Sequence, residues 1–268
     1  MSKPLDERLR QVRDDLAKLE IILTTHSGSK VASEAADEFK KVTVFANDID
    51  HCLRIMQART VARNLLAGLE GTADSDDTVP VGAGRAKFHF VRFLGVQAYL
   101  ASEWALADRI AGVAGQVLCV PNQLNNEKSP PQLLSHFVSS ELEKKTPAVT
   151  FLSVRRSFGW PIGISYAIRN HIFHDGGRYK GDFFDGDTAA SAFAISDQGW
   201  DFVVKRAKTY GVEPAHHRAG TGWPVTPRAD LRLVLDVCER EMDDALGILV
   251  GSATRTLGSH LAYVVGEL

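Results

Sequence analysis

The chain has 268 residues, 44% of them hydrophobic, enough for one large domain or a main domain with an added helical segment. A formal net charge of −2 excludes a protein whose whole surface traps nucleic acid, though not one with a local basic site. Its three cysteines, Cys52, Cys119 and Cys238, lie far apart without a CxxC pair. They support neither a zinc ribbon nor a thioredoxin-like site and suit a reducing compartment.

The N-terminus, "MSKPLDERLRQVRDDLAK", is charged and amphipathic and has no signal-peptide apolar core. No uncharged apolar run reaches membrane-spanning length, so a cytoplasmic chain with no membrane partner is expected. Leu5, Leu9, Val12, Leu16, Leu19 and Leu23 recur at alternating spacings of four and three. That stripe predicts a one-faced helix, and a bundle helix is favoured over a short coiled coil. "THSGSK" breaks it, and a longer helix follows from about Val31 to Leu69. The polar, acidic "GTADSDDTVPVGAGRAK" reads as an exposed loop. Its Gly82-x-Gly84 lacks a preceding apolar strand and carries little weight as a dinucleotide site.

Residues 88–120 are apolar almost all round, the pattern of a helix buried in a bundle or at an interface. A short amphipathic helix is expected over 132–145. Another begins near Ala148, is interrupted at "FGWPIG", and resumes up to "SYAIRNHIFHDGG". Beyond this, "SAFAI" suggests a short strand or half a hairpin. "SDQGWDFVVKRAKTYG" suggests a helix starting at Ser196 or Asp197 and ended by Gly211. A last helix is expected to open with Thr226 as N-cap and Pro227 at the first helical position. The expectation is an all-α bundle with a minor β element after residues 165–177.

That segment gathers Arg169, Asn170, His171 and His174 at a helix end before Gly176 and Gly177. One reading is a helix terminus, in which basic side chains meet the exposed carbonyls and negative end of the dipole. The other is phosphate chemistry. Arg169 and His174 lie about 140° apart around a helix, whereas Asn170 and His174 share a face. Asn170 can therefore orient the imidazole, and two copies of the helix about a two-fold axis could converge on one groove. A histidine at a helix C-terminus exchanges protons near neutral pH. An arginine fork suits phosphate oxygens. Together they can support metal-free attack of a ribose 2′-OH on the adjacent phosphate, with the arginine stabilising the developing charge. DNA lacks that hydroxyl.

Arg169-Asn170-x-x-x-His174 resembles the signature of the HEPN superfamily, an arginine followed by a polar residue with a histidine four to six positions on. The likeness covers six residues. It implies a helical bundle that dimerises so that two motifs face each other. In many members it also implies metal-independent endoribonuclease activity in toxins, phage defence and RNA processing. On that footing residues 1–84 form an N-terminal helical segment packed on a HEPN-like bundle of 85–268. Arg169, Asn170 and His174 form the catalytic set, and no metal or other cofactor is needed. RNA and a second copy are the expected partners, with an antitoxin or defence-system protein as a regulator. Arg155, Arg156, Arg178 and Lys180 join Arg169 against the single acid Asp175 between residues 151 and 181, a local positive excess suited to a polyanion. These four and His171 are the expected RNA contacts. Tyr179, Phe183 and Phe184 could stack on bases or pack the loop, and packing is favoured for each.

Two rivals stay open. His171-x-x-His174-Asp175 could ligate a metal with Asp48, Asp50 or His51, although HExxH and Glu-x-x-His pairs are absent. A non-enzymatic helical module binding RNA, nucleotide or a partner protein is the other. Nucleophilic catalysis has no GxSxG motif to rest on.

Overall fold

A computed structural model of the chain describes residues 3–26, 32–72, 78–118, 161, 163–172, 183–184, 192–209 and 230–266. Of these, 83% are helical, so the chain is mostly all-α. Its elements are α1 (Leu5–His26), α2 (Ala32–Gly68), β1 (Thr78–Val81), β2 (Gly84–Lys87), α3 (Phe88–Leu118), α4 (residues 163–172), α5 (Asp197–Thr209) and α6 (Leu231–Gly266). No helix among the described residues is long and apolar enough to cross a membrane.

The chain divides into two compact units. The first comprises residues 1–55, 105–157 and 243–268, and the second residues 56–104 and 158–242. Both therefore draw on chain from either side of residue 84.

In the first unit the α1 stripe is buried as its spacing predicts: Leu5, Leu9, Val12 and Leu16 all face inward. They share the unit with Val42, Phe45, Ile49 and Cys52 of α2, Leu106 and Ile110 of α3, and Leu246, Val250, Ala253 and Leu257 of α6. Each set keeps the three-and-four spacing that turns one helix face to a core. Ion pairs tie the elements at their edges. Arg8 meets Asp244 at 2.9 Å, Arg13 meets Asp50 at 3.2 Å, and Arg109 meets Asp48 at 3.1 Å.

The second unit holds a continuous apolar core. It runs from Ala62, Leu66 and Leu69 through Val79, Phe88, Tyr99, Ile164, Ile168 and Phe183 to Trp200, Val203, Leu235 and Cys238. The expected exposed loop before α3 is instead a β-hairpin. Strands β1 and β2 pair antiparallel, with Val79 opposite Ala86 and Val81 opposite Gly84. Gly82, at φ 57°, takes the first central position of the two-residue turn, where the tight hairpin geometry calls for positive φ. Val79 is fully buried, so one inward side chain anchors an otherwise polar segment. Downstream, Phe184 and Ile195 form an isolated antiparallel bridge, which places "SAFAI" in a minimal β contact.

Helix α5 is capped by Ser196, whose Oγ accepts the Gly199 N–H at 3.0 Å. At Gly199 an added Cβ would lie only 2.3 Å from the Phe183 carbonyl oxygen. Asp230, rather than Thr226, caps α6. Its carboxylate accepts the Leu233 N–H at 3.0 Å, and the helix starts at Leu231. Thr226 and Pro227, expected to open this helix, lie outside the described residues, and a Thr-Pro pair is as good a start signal as an Asp.

Candidate functional site

Helix α4 carries the first part of the motif. Ile164 and Ile168, four apart, are fully buried, and Ile172 continues that face against the core. Three further contacts fix the helix. Tyr166 packs on Trp104 of α3 with ring centroids 4.9 Å apart. Ser165 is hydrogen-bonded to the buried Cys238 of α6, and burial pushes that thiol well above its usual range. His171 stacks on Phe202 of α5, centroids 4.2 Å apart and planes 20° from parallel, and its ring lies 5.8 Å from that of Phe183.

Arg169 and Asn170 follow Ile168 directly and are half-buried. Among the described residues neither side chain has an ion pair or hydrogen bond. His171, expected as an RNA contact, has its ring in the aromatic cluster of Phe183 and Phe202, with part of its surface still accessible. His174, Arg155, Arg156, Arg178, Lys180, Asp175 and Tyr179 lie outside the described residues, as does the Asn170–His174 pairing. Phe183 and Phe184 are both 3% exposed. They pack the segment onto the core, the alternative favoured over stacking on bases. Arg92, itself buried, lies 4.4 Å above the Phe184 ring.

The aspartates weighed as metal ligands are engaged otherwise. Asp48 and Asp50 pair with Arg109 and Arg13, and His51 is exposed. Among the described residues there is no group of three or more His, Cys, Asp or Glu able to hold a metal ion.

A charged cluster in the second unit was not anticipated. Arg59 and Arg63, four apart on α2, face Tyr99 and Glu103, four apart on α3, and Asp236 and Glu239, three apart on α6. Arg59 meets Glu103 at 2.8 Å and Glu239 at 3.4 Å. Arg63 meets Glu239 at 2.9 Å and also pairs closely with Asp236. The Tyr99 hydroxyl donates to Glu239 at 2.5 Å. Burial, reinforced by the nearby Glu103 and Glu239 carboxylates, holds the Tyr99 phenol well above its ordinary value. At Asp236 burial raises the carboxyl, and Arg63 pulls against it. A cavity of about 10 Å³, room for one water, adjoins the cluster between Arg63, Tyr99, Phe193, Arg232 and Asp236. The signal was present in Glu103, an acid on the face of α3 that also carries Val96, Tyr99 and Leu100. A carboxylate there demands a buried partner. With each of its carboxylates paired to a guanidinium group, the cluster reads as a specifier of helix register rather than a reactive site.

Compared with known proteins, the chain matches no family model, no curated protein and no solved structure.

Proposed function

We propose that the chain is a metal-independent endoribonuclease of the HEPN type, acting as a homodimer in a toxin or phage-defence setting in the cytoplasm. In this reading the His174 imidazole assists attack of the ribose 2′-OH on the adjacent phosphorus. The new P–O2′ bond replaces the P–O5′ bond, and a proton passes to the leaving 5′-oxygen, giving a 2′,3′-cyclic phosphate. Arg169 binds the phosphoryl oxygens as their charge grows, and Asn170 orients the imidazole. His171, Arg155, Arg156, Arg178 and Lys180 extend the contact with RNA.

One observation carries the reading. Arg169 stands beside the buried Ile168 on a helix held by three neighbours, half-exposed and with no carboxylate partner among the described residues. An arginine presented from a packed helix, with no counter-ion among the described residues, suits an external anion. The stacking of His171 on Phe202 favours a second reading, a helix end kept for packing in a module that binds RNA, nucleotide or a partner protein without cutting.

The test is cleavage of labelled RNA by wild-type protein and by His174→Ala, both in EDTA. Cutting by wild type alone, with 2′,3′-cyclic ends, supports the nuclease. Binding without cutting moves the non-catalytic module ahead, and activity lost to EDTA points to a metal at His171 and His174.

A further inference from the structure

Helix α5 brings an arginine to the motif helix from more than thirty positions downstream. Phe202 and Arg206 stand four apart on α5 and so share one flank of it. The Arg206 guanidinium lies over the Phe202 ring, 5.3 Å from its centroid. Phe202 is also the ring on which His171 of α4 stacks, and Phe183 meets it edge-on with centroids 6.4 Å apart. One half-buried ring, fixed by two neighbours, therefore joins α4 to an exposed arginine. Around α4, Arg169 lies about 200° from His171, with Asn170 between them on the outer face. Arg169 and Arg206 thus stand on opposite flanks of α4.

We propose that Arg206 is a phosphate contact of the same site, and that an RNA strand crosses the outer face of α4 from Arg169, past Asn170, to Arg206. This rests on the reading of the site as one that takes RNA, though not on its cutting RNA. Arg206 has no ion pair or hydrogen bond among the described residues, and the positions one turn away, Phe202, Val203 and Thr209, offer it no carboxylate. A basic side chain in the last turn of a helix commonly serves the terminal carbonyls. Arg206 instead reaches back over Phe202, and among the described residues it bonds none of those carbonyls. A guanidinium resting on an aromatic ring keeps N–H groups free for the paired oxygens of a phosphate. With its arm already held, it loses little freedom on binding. A chain of phosphates, unlike a single carboxylate, also calls for cations from more than one element, which α4 and α5 supply.

Anisotropy of a fluorescein-labelled single-stranded RNA of mixed sequence, in a His174→Ala background, reads this contact apart from cleavage. Arg206→Ala should weaken binding about tenfold and lower the slope of log affinity against log salt by about one. Arg206→Lys keeps the charge without the fork and should recover only part of the loss. Lys208→Ala removes the same charge about 200° around α5 and should leave binding within about twofold. Both positions are exposed, so these variants should unfold at the parent's temperature. RNA bound with this pattern but never cut by wild type would sink the nuclease and leave the Arg206 contact standing. Cleavage by Arg206→Ala with the KM and RNA affinity of wild type would overturn the contact alone. So would equal losses at Arg206 and Lys208, or lost binding that tracks a lower unfolding temperature. A protein that binds no RNA overturns both.

Discussion

Arg59 on α2 and Glu103 on α3 form an ion pair at 2.8 Å with side chains only 5% and 4% exposed. Two charges so far from water hold their helices in one register, because a one-turn slip would leave both buried and unmatched. Glu103→Ala should therefore destabilise the protein by about 3–5 kcal/mol, measured by urea denaturation. The double change Arg59→Met with Glu103→Leu should recover much of that loss, since it removes both charges while keeping volume.

Tyr99 gives the cluster a pH signature. Its phenol is held above the ordinary value by burial and by the Glu103 and Glu239 carboxylates. Above the unfolded tyrosine value of about 10 the unfolded chain releases this proton while the folded chain keeps it. The stabilisation is thus full below that pH and is lost as pH rises towards the folded value. Tyr99→Phe should flatten this alkaline slope in denaturation curves measured between pH 9 and about 11.

Two close approaches rank two substitutions. At Gly199 the obstacle is the Phe183 carbonyl oxygen, 2.3 Å from the new Cβ. At Gly95 it is the Leu66 side chain, 2.7 Å away. A leucine tip can turn aside, whereas a backbone carbonyl that also accepts the Ser196 N–H at 2.9 Å cannot do so without breaking that bond. Gly95→Ala should cost about 1–3 kcal/mol and Gly199→Ala more, compared by their denaturation midpoints.

Thiol labelling checks the cores separately. Burial, aided by Asp48, pushes the Cys52 thiol to about 12, and burial raises Cys238 as well. In a Cys119→Ser background neither should react with an aromatic disulfide reagent at neutral pH until the chain is unfolded in denaturant.

For the proposed nuclease, Arg169→Ala should lower cleavage by about 10²–10³-fold, and Arg169→Lys should restore little, because a lysine lacks the planar fork. Thermal stability should stay within about 0.5 kcal/mol of wild type, since Arg169 has no ion pair among the described residues to lose. A matching fall in stability and activity would instead assign the residue a structural role.

The helices were legible because their signals repeat. The spacing of Leu5, Leu9, Val12 and Leu16 marked the buried face of α1, and the apolarity of 88–118 marked α3 as a core helix, although its Phe90 and Leu94 face outward where burial all round was expected. Single-residue decisions were harder to read. The hairpin hangs on the turn at Gly82 and on Val79, the one fully buried side chain of Thr78–Lys87, too little for a period to show. The cluster of Arg59, Arg63, Glu103, Asp236 and Glu239 joins three helices from distant parts of the chain. Apart from Glu103, each residue alone looks like an ordinary surface charge, and only the fold turns them inward. At the candidate site Arg169 and Asn170 stood out by type and spacing. The stacking of His171 on Phe202 did not, because nothing in sequence links positions 31 apart.

The pairing of Arg8 with Asp244, 236 positions apart, also bears on how the protein is made. Leu5, Leu9, Val12 and Leu16 emerge from the ribosome well ahead of Leu246, Val250 and Leu257, yet the unit that buries them is complete only after those have followed. At about 5–20 residues per second that is a wait of some tens of seconds with an apolar stripe on display. The first helix is therefore a natural client for a chaperone during synthesis, and trimming the far end of the chain would leave it exposed for good.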